Sequence, residues 1–399
     1  MIIKPKVRDF ICVTTHPSGC ETHIREEIEY VKNSGKIQNG PKNVLVIGAS
    51  TGYGLSSRIV PTYAWDANTI GVFYERPSTE TRGGTAGWYN SYFFKKIATE
   101  DGRYAKNING DAFSKDIKKK TADLIEKDWG KVDLIVYSLA SPRRTDPETG
   151  EIYSSVIKPV GSTTFTSKSI LTDKGKIVEA TIEPATDEQV RGTIKVMGGE
   201  DWQLWIDYLK ERGLLSEGFR TVAYSYVGPE QTWPVYKDGT IGKAKEHLDE
   251  TARQITAQNE ALNGRAFVSV NKAVVTQASS AIPVVPLYIA ILFKVMKRKG
   301  VHENIIQQIY RLYRDHLCGK QLAENLEDIR IRIDDLELEE SVQEEVAEIW
   351  EKIDQENLDE LADLKGYQKD FLQLFGFEYE GVDYEVDVEP HCDDPEVIQ

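Results

Sequence analysis

Asn43-Val-Leu-Val-Ile-Gly48-Ala-Ser-Thr-Gly52-Tyr-Gly54-Leu-Ser-Ser57 decides the fold of this chain. An apolar run rich in β-branched residues meets glycines spaced G-x3-G-x-G, and a helical stretch, Leu55–Tyr63, follows. A strand that turns straight into a helix needs a tight bend, close packing of helix on strand, and backbone that can approach a bound group. Each requirement removes a side chain. The helix N-terminus then turns unpaired N–H groups toward an anion, and a pyrophosphate suits it. A plain strand-to-helix turn is the competing reading, and the strand–glycine–helix order weighs against it.

Outward from this turn the same rhythm continues. Short apolar runs at Thr69–Tyr74, Leu134–Tyr137, Arg220–Tyr226 and Arg265–Val270 alternate with amphipathic stretches at Asp116–Lys127, Asp201–Arg212 and Gly242–Ala261. Strands alternating with helices predict an α/β fold, an enlarged Rossmann-type doubly wound parallel sheet. Residues 140–200, rich in Ser, Thr, Pro and Gly, read as an insertion near the site. Residues 1–40 read as an N-terminal extension of a body spanning 1–320. Residues 321–399 read as an acidic, mainly helical segment packed on that body by Tyr367 and the cluster Phe371, Phe375 and Phe377.

Composition narrows the function. The 399 residues carry a net charge of −15, yet residues 321–399 hold 27 acidic against 5 basic side chains. The remainder is mildly basic, which suits an anionic cofactor or substrate. The acidic segment reads equally as a solvated face. The longest apolar run, Ala281 to Val295, contains Pro283, Pro286 and Lys294 and is too short to span a bilayer. No membrane insertion and no nucleic-acid partner are expected. The opening MIIKPKVRDF has no apolar signal core, so a cytoplasmic location with reduced cysteines is expected. Cys12, His16, Cys20 and His23 are spaced loosely like zinc ligands but lack a tight C-x2-C, and no metal is expected.

Six further places carry site chemistry. Glu75, at the next strand tip, can accept from an adenosine ribose and repel a 2′-phosphate, favouring NADH; Arg76 beside it argues the other way. Asp111-Ala112 can bracket an adenine or serve as an N-cap. Ser138-Leu139-Ala140-Ser141 lies at a strand's carboxyl end, where open sheets bind ligands. Tyr236 and Lys245 form a tyrosine–lysine pair. The lysine can hold a nicotinamide ribose, and its charge would lower the tyrosine's pKa. Nine residues apart, they fall on opposite faces of a continuous helix, so they converge only if the chain breaks between them. Asp238-Gly239 supplies a turn, and Thr240 can cap a helix carrying Lys245. Tyr226 reads as a second pocket hydroxyl or a structural tyrosine, and Val274-Val275-Thr276 can reach the nicotinamide.

Seven motifs then occur together and in order: the Gly48–Gly54 turn, Glu75-Arg76-Pro77, Gly87-Trp-Tyr-Asn90, Asn109-Gly-Asp-Ala-Phe113, Tyr137-Ser-Leu-Ala-Ser-Pro142, Val196-Met-Gly-Gly-Glu-Asp-Trp202 and Ser279-Ser-Ala-Ile-Pro283. With Tyr-x8-Lys, they resemble the FabV class of enoyl-acyl-carrier-protein reductases and the related trans-2-enoyl-CoA reductases over essentially the whole chain. The resemblance implies that Gly48, Ala49, Ser50, Thr51, Gly52 and Tyr53 bind NADH. It implies the same for Tyr74, Glu75, Asp111, Ala112, Leu139, Ala140, Lys245 and Val274 to Thr276. Tyr236 is implied as proton donor and Tyr226 as the contact to the substrate carbonyl. The implied reaction is reduction of a trans-2-enoyl thioester on acyl-carrier protein or CoA, by a monomer with a dimer left open. A carbonyl or 3-oxoacyl reductase, and a non-catalytic dinucleotide-binding protein, stand as alternatives. The run Ile282–Phe293 reads as one wall of an acyl pocket or as a buried helix. Lys294, Lys297, Arg298 and Lys299 after it can meet phosphates or an acidic carrier, or complement a helix C-terminus.

Overall fold

The computed structural model describes residues 1–8, 11–317 and 329–399. Its strands run in chain order β1 (Val7–Arg8), β2 (Ile11–Cys12), β3 (Asn43–Ile47), β4 (Asn68–Phe73), β5 (Ala105–Asn109), β6 (Val132–Tyr137), β7 (Arg143–Thr145), β8 (Ile152–Ser154), β9 (Phe165–Leu171), β10 (Lys176–Ile182), β11 (Leu215–Ser225), β12 (Arg265–Val270) and β13 (Arg330–Arg332). Seven of them form one sheet in the order β13-β12-β11-β6-β3-β4-β5, with every pairing parallel. Parallel sheets bury both faces, and β3 shows the consequence: all five residues are buried. Val44 and Val46 join the core on one face while Leu45 and Ile47 join the core on the other. This is the period-two alternation of a strand covered on both sides.

The strand order reverses between β3 and β6, and a crevice opens there at the carboxyl ends. The turn out of β3 enters the helix Gly52–Ala64. A Cβ on Gly54 would stand 1.9 Å from the Gly48 carbonyl oxygen, so only glycine lets the helix pack this close. The helices Lys115–Asp128, Glu200–Glu211 and Thr240–Gln258 match their expected places within two or three residues at each end. Thr240 is not the cap expected of it. Gly239 holds the cap position, and the Thr240 hydroxyl instead donates to the Val156 carbonyl.

Residues 140–200 form the hairpins β7–β8 and β9–β10 and the helix Asp187–Met197, started by a capping box of Thr186 and Gln189. The acidic segment does more than cover the body, since β13 pairs with β12 and extends the main sheet. Tyr367, Phe371, Phe375 and Phe377 are buried in the larger core. Lys297, Arg298 and Lys299 fall in the last turn of the helix Val285–Lys299, where a helix C-terminus favours positive charge, and their side chains also bind the same segment. Lys297 donates to Asp363 at 2.7 Å, Arg298 pairs with Glu345, and Lys299 donates to Ser341 at 3.1 Å. These exposed pairs fix direction of docking more than they stabilise it.

Gly54→Ala is expected to destabilise the fold by about 1–3 kcal/mol, because backbone must give way to the methyl group. Thermal unfolding reads this as a lower Tm; an unchanged midpoint would mean that the turn yields freely.

Candidate active site

A cavity of about 1580 Å³ occupies the crevice at the carboxyl edge of the sheet. One end is the glycine turn. Gly48 has φ +85°, and a Cβ there would meet the Ser138 carbonyl oxygen at 2.4 Å, so strand ends β3 and β6 close on each other only through glycine. Thr51 caps the following helix by position without a side-chain bond, leaving first-turn N–H groups free for an anion. Gly48, Ser50, Thr51, Gly52 and Tyr53 all line the cavity. Ala49 does not: it is fully buried, and its N–H is spent on the Val72 carbonyl at 3.0 Å.

Tyr74 and Glu75 lie beside this turn, Tyr74 largely exposed at 79%. The Glu75 carboxylate accepts from Ser50 at 2.7 Å and from the Thr85 hydroxyl. Burial pushes its pKa up while those two donors pull it back. Asp111 and Ala112 line the cavity, and Ser114, not Asp111, caps the next helix. Asp111 accepts from the Phe113 N–H at 3.0 Å, which fixes the loop. Leu139 and Ala140 complete this side. Val274 and Thr276 face the cavity, whereas Val275 is turned into the core.

The chain breaks between Tyr236 and Lys245, and both face the same cavity. Tyr236 sits on the loop before the helix Thr240–Gln258, and its carbonyl accepts from the Gly242 N–H at 2.9 Å. A Cβ on Gly242 would lie 1.7 Å from the Lys237 carbonyl oxygen, so the loop folds back onto the helix only because residue 242 has none. Both Tyr236 and Lys245 line the cavity. The Lys245 ammonium donates to the Tyr224 carbonyl at 2.9 Å. Burial pushes its pKa down to about 8, with Asp249 offsetting part of the loss.

Tyr236 is held by packing alone. Its ring meets Tyr226 edge to face at 4.9 Å, and its hydroxyl makes no hydrogen bond among the described residues. Burial drives its pKa above the ordinary tyrosine range, with no lowering by Lys245 of the kind expected. The phenol therefore keeps its proton and can serve as a hydrogen-bond donor. Tyr226 differs, since its hydroxyl donates to Glu337 at 3.0 Å. Sequence reasoning missed Glu337, which looks like one more acid in an acidic run. It also missed Tyr288, which donates to the same carboxylate at 2.6 Å from within the apolar run. Ile282, Val285 and Ile289 of that run line the cavity and give it an apolar wall.

The zinc-like spacing serves other ends. His16 caps the helix Pro17–Ser34 by accepting from the Gly19 N–H, and His23 meets the Tyr379 hydroxyl at 2.9 Å. Cys12, Cys20 and Cys392 are free thiols, and Cys318 lies outside the described residues.

Comparison with known proteins agrees with this geometry. Residues 82–318 match the trans-2-enoyl-CoA reductase catalytic region, and residues 2–80 match the NAD(P)H binding domain of the same enzyme. An enoyl-[acyl-carrier-protein] reductase [NADH] of Psychromonas ingrahamii is 56% identical over 391 residues, covering 98% of each chain. An enoyl-[acyl-carrier-protein] reductase [NADH] FabV of Aeromonas salmonicida is 55% identical, again over 98% of each. The Treponema denticola trans-2-enoyl-CoA reductase solved with NAD superposes with a TM-score of 0.93 at 50% identity, covering 98% of this chain and 99% of that one. The Clostridium acetobutulicum trans-2-enoyl-CoA reductase solved with NADH gives 0.94 at 45% identity and 98% coverage of both.

Residues 327–388 match a third family description, the enoyl reductase FAD binding domain. Those residues do not fit a flavin dinucleotide. They carry 22 acidic against 5 basic side chains, which opposes a diphosphate. Among the described ones, only Leu374 and Phe375 reach the cavity, and no glycine-rich strand-to-helix turn occurs among them. The nicotinamide dinucleotide, by contrast, fits the turn whose missing Cβ atoms open it. The chain belongs to the enoyl reductase family of the FabV enoyl-acyl-carrier-protein reductases and the trans-2-enoyl-CoA reductases.

Proposed function

We propose that this chain reduces the double bond of trans-2-enoyl thioesters, carried on acyl-carrier protein or CoA, to saturated acyl thioesters. The observation that carries the reading is the unpaired, neutral Tyr236 hydroxyl, set in one cavity between a dinucleotide turn and an apolar wall. When bound, NADH supplies the hydride that the substrate takes at its β-carbon. Charge then develops on the thioester oxygen. Tyr236 donates to that oxygen, acting where charge appears in the transition state. Protonation at the α-carbon completes the saturated product.

The other residues hold the reactants. The open turn from Gly48 to Tyr53 receives the pyrophosphate at the helix N-terminus. Glu75 takes the adenosine ribose and disfavours a 2′-phosphate. Tyr74, Asp111 and Ala112 border the adenine side, and Leu139 and Ala140 border the strand edge. Lys245 holds the nicotinamide ribose, with Val274 and Thr276 beside the ring. Ala49 and Val275 contribute through backbone shape, since neither side chain faces the cavity. Tyr226 braces Tyr236 and stands at the thioester carbonyl. Ile282, Val285 and Ile289 take the acyl chain away from water. Action as a monomer in the cytoplasm completes the proposal.

A ketone reductase with the same tyrosine and lysine is the second reading, and the apolar wall weighs against it. NADH oxidation by the purified protein with crotonyl-CoA, beside acetoacetyl-CoA, separates the two. Oxidation with crotonyl-CoA alone is expected; oxidation with acetoacetyl-CoA alone would overturn enoyl reduction.

Lys245 also sets a pH limit. With its pKa pushed down to about 8, it carries its charge below that pH and loses it above. The ratio kcat/KM for NADH, which reports the free enzyme, is expected to fall about tenfold per unit above pH 8. Lys245→Arg, whose guanidinium stays charged, is expected to lack this limb. A limb unmoved in that variant would assign it to another group.

A further inference from the structure

The acidic segment places one fully buried carboxylate against the reactive tyrosines. Glu337 follows β13 and is 0% exposed. One of its oxygens accepts from the Tyr226 hydroxyl at 3.0 Å and from the Tyr288 hydroxyl at 2.6 Å. The other accepts from the Ala273 backbone N–H at 2.6 Å. Its own carbonyl accepts from Gln343 at 2.6 Å, and the same amide nitrogen donates to Tyr288 at 3.2 Å.

These three donors come from three parts of the site. Tyr226 follows β11 and carries the edge contact to Tyr236. Ala273 opens the stretch Val274 to Thr276 on the nicotinamide side. Tyr288 belongs to the helix whose Val285 and Ile289 form the apolar wall. A carboxylate has about four acceptor sites on two oxygens, so it can bind all three donors at once. Burial raises the pKa of Glu337, while the buried Lys272 ammonium, Tyr288, the Ala273 N–H and Tyr226 pull it back. A group so buried is retained only with its partners satisfied.

We infer that Glu337 is a positioning residue for the reaction: by holding the Tyr226 hydroxyl it sets the ring against which Tyr236 is aligned, and so the C-terminal segment completes the active site. The inference rests on the proposed roles of Tyr226 and Tyr236. It also gives residues 327–388 a contribution to this site in place of flavin binding. Tyr226 has one phenolic proton, and Glu337 fixes where it points. Loss of the acceptor frees both the hydroxyl and the ring edge.

A double-mutant cycle tests it, using Glu337→Gln, Tyr226→Phe and the pair together, with crotonyl-CoA as substrate. Glutamine keeps the shape and can still accept from the Ala273 N–H, but it turns a donor toward both tyrosine hydroxyls. Glu337→Gln is expected to lower kcat at least tenfold with KM for NADH within threefold of wild type. In the Tyr226→Phe background the same change is expected to alter kcat less than threefold, because its route is already gone. Unchanged kcat in Glu337→Gln, or an equal tenfold loss with and without Tyr226, would overturn the inference. If Tyr226→Phe alone leaves kcat unchanged, the role of Tyr226 fails and the inference with it. If Tyr226→Phe lowers kcat and Glu337→Gln does not, only the inference fails. Should Glu337→Gln not fold, Glu337→Asp takes its place in the cycle with the same pattern expected.

Discussion

A Cβ on residue 54 would lie 1.9 Å from the carbonyl oxygen of Gly48, and the glycine-turn end of the site depends on that close approach. Because the helix Gly52–Ala64 can close on β3, its N-terminus points along the carboxyl edge of a parallel sheet. The same edge carries the ends of β4, β6, β11 and β12, so the residues after each strand converge on one crevice. Glu75 follows β4, Ser138 to Ala140 follow β6, Tyr226 follows β11 and Val274 follows β12. A side chain at position 54 would push the helix N-terminus away from these groups.

Electrostatics then decides what the crevice can do. Burial makes Tyr236 a neutral phenol, and its hydroxyl has no competing partner among the described residues. Burial also brings Lys245 close to neutrality at moderately alkaline pH, so its charge is present where the chemistry works and is easily lost above it. Burial therefore acts oppositely on the two residues: it holds the proton on Tyr236 and loosens the one on Lys245. The acidic segment belongs to this arrangement as well. It extends the sheet through β13, takes up the basic end of the helix Val285–Lys299, and sends Glu337 inward to the tyrosines.

Much of this is legible in the sequence where a residue type has only one economical use. The apolar run at Arg265–Val270 coincides with β12, and the run at Val44–Ile47 with all but the first residue of β3. The run at Arg220–Tyr226 understates β11, which begins at Leu215, because a register shift between Leu215 and Arg220 hides the early part. The three residues Arg330–Arg332 carry too little pattern to read as a strand, and only pairing with β12 makes them one. Glu337 was illegible for a related reason: twenty-seven acids in one segment look alike until the bonds from Tyr226 and Tyr288 single one out. Likewise the sign of the shift at Tyr236 was not legible, since it depends on how far the ring is buried.

In the proposed mechanism the free Tyr236 hydroxyl stabilises charge on the thioester oxygen. Steady-state kinetics of Tyr236→Phe with crotonyl-CoA, beside an NADH binding titration on the same sample, tests it most directly. The account predicts a fall in kcat of at least a hundredfold, in line with loss of one aligned donor, with NADH affinity changed by less than about threefold. Turnover close to wild type with intact NADH binding would contradict it.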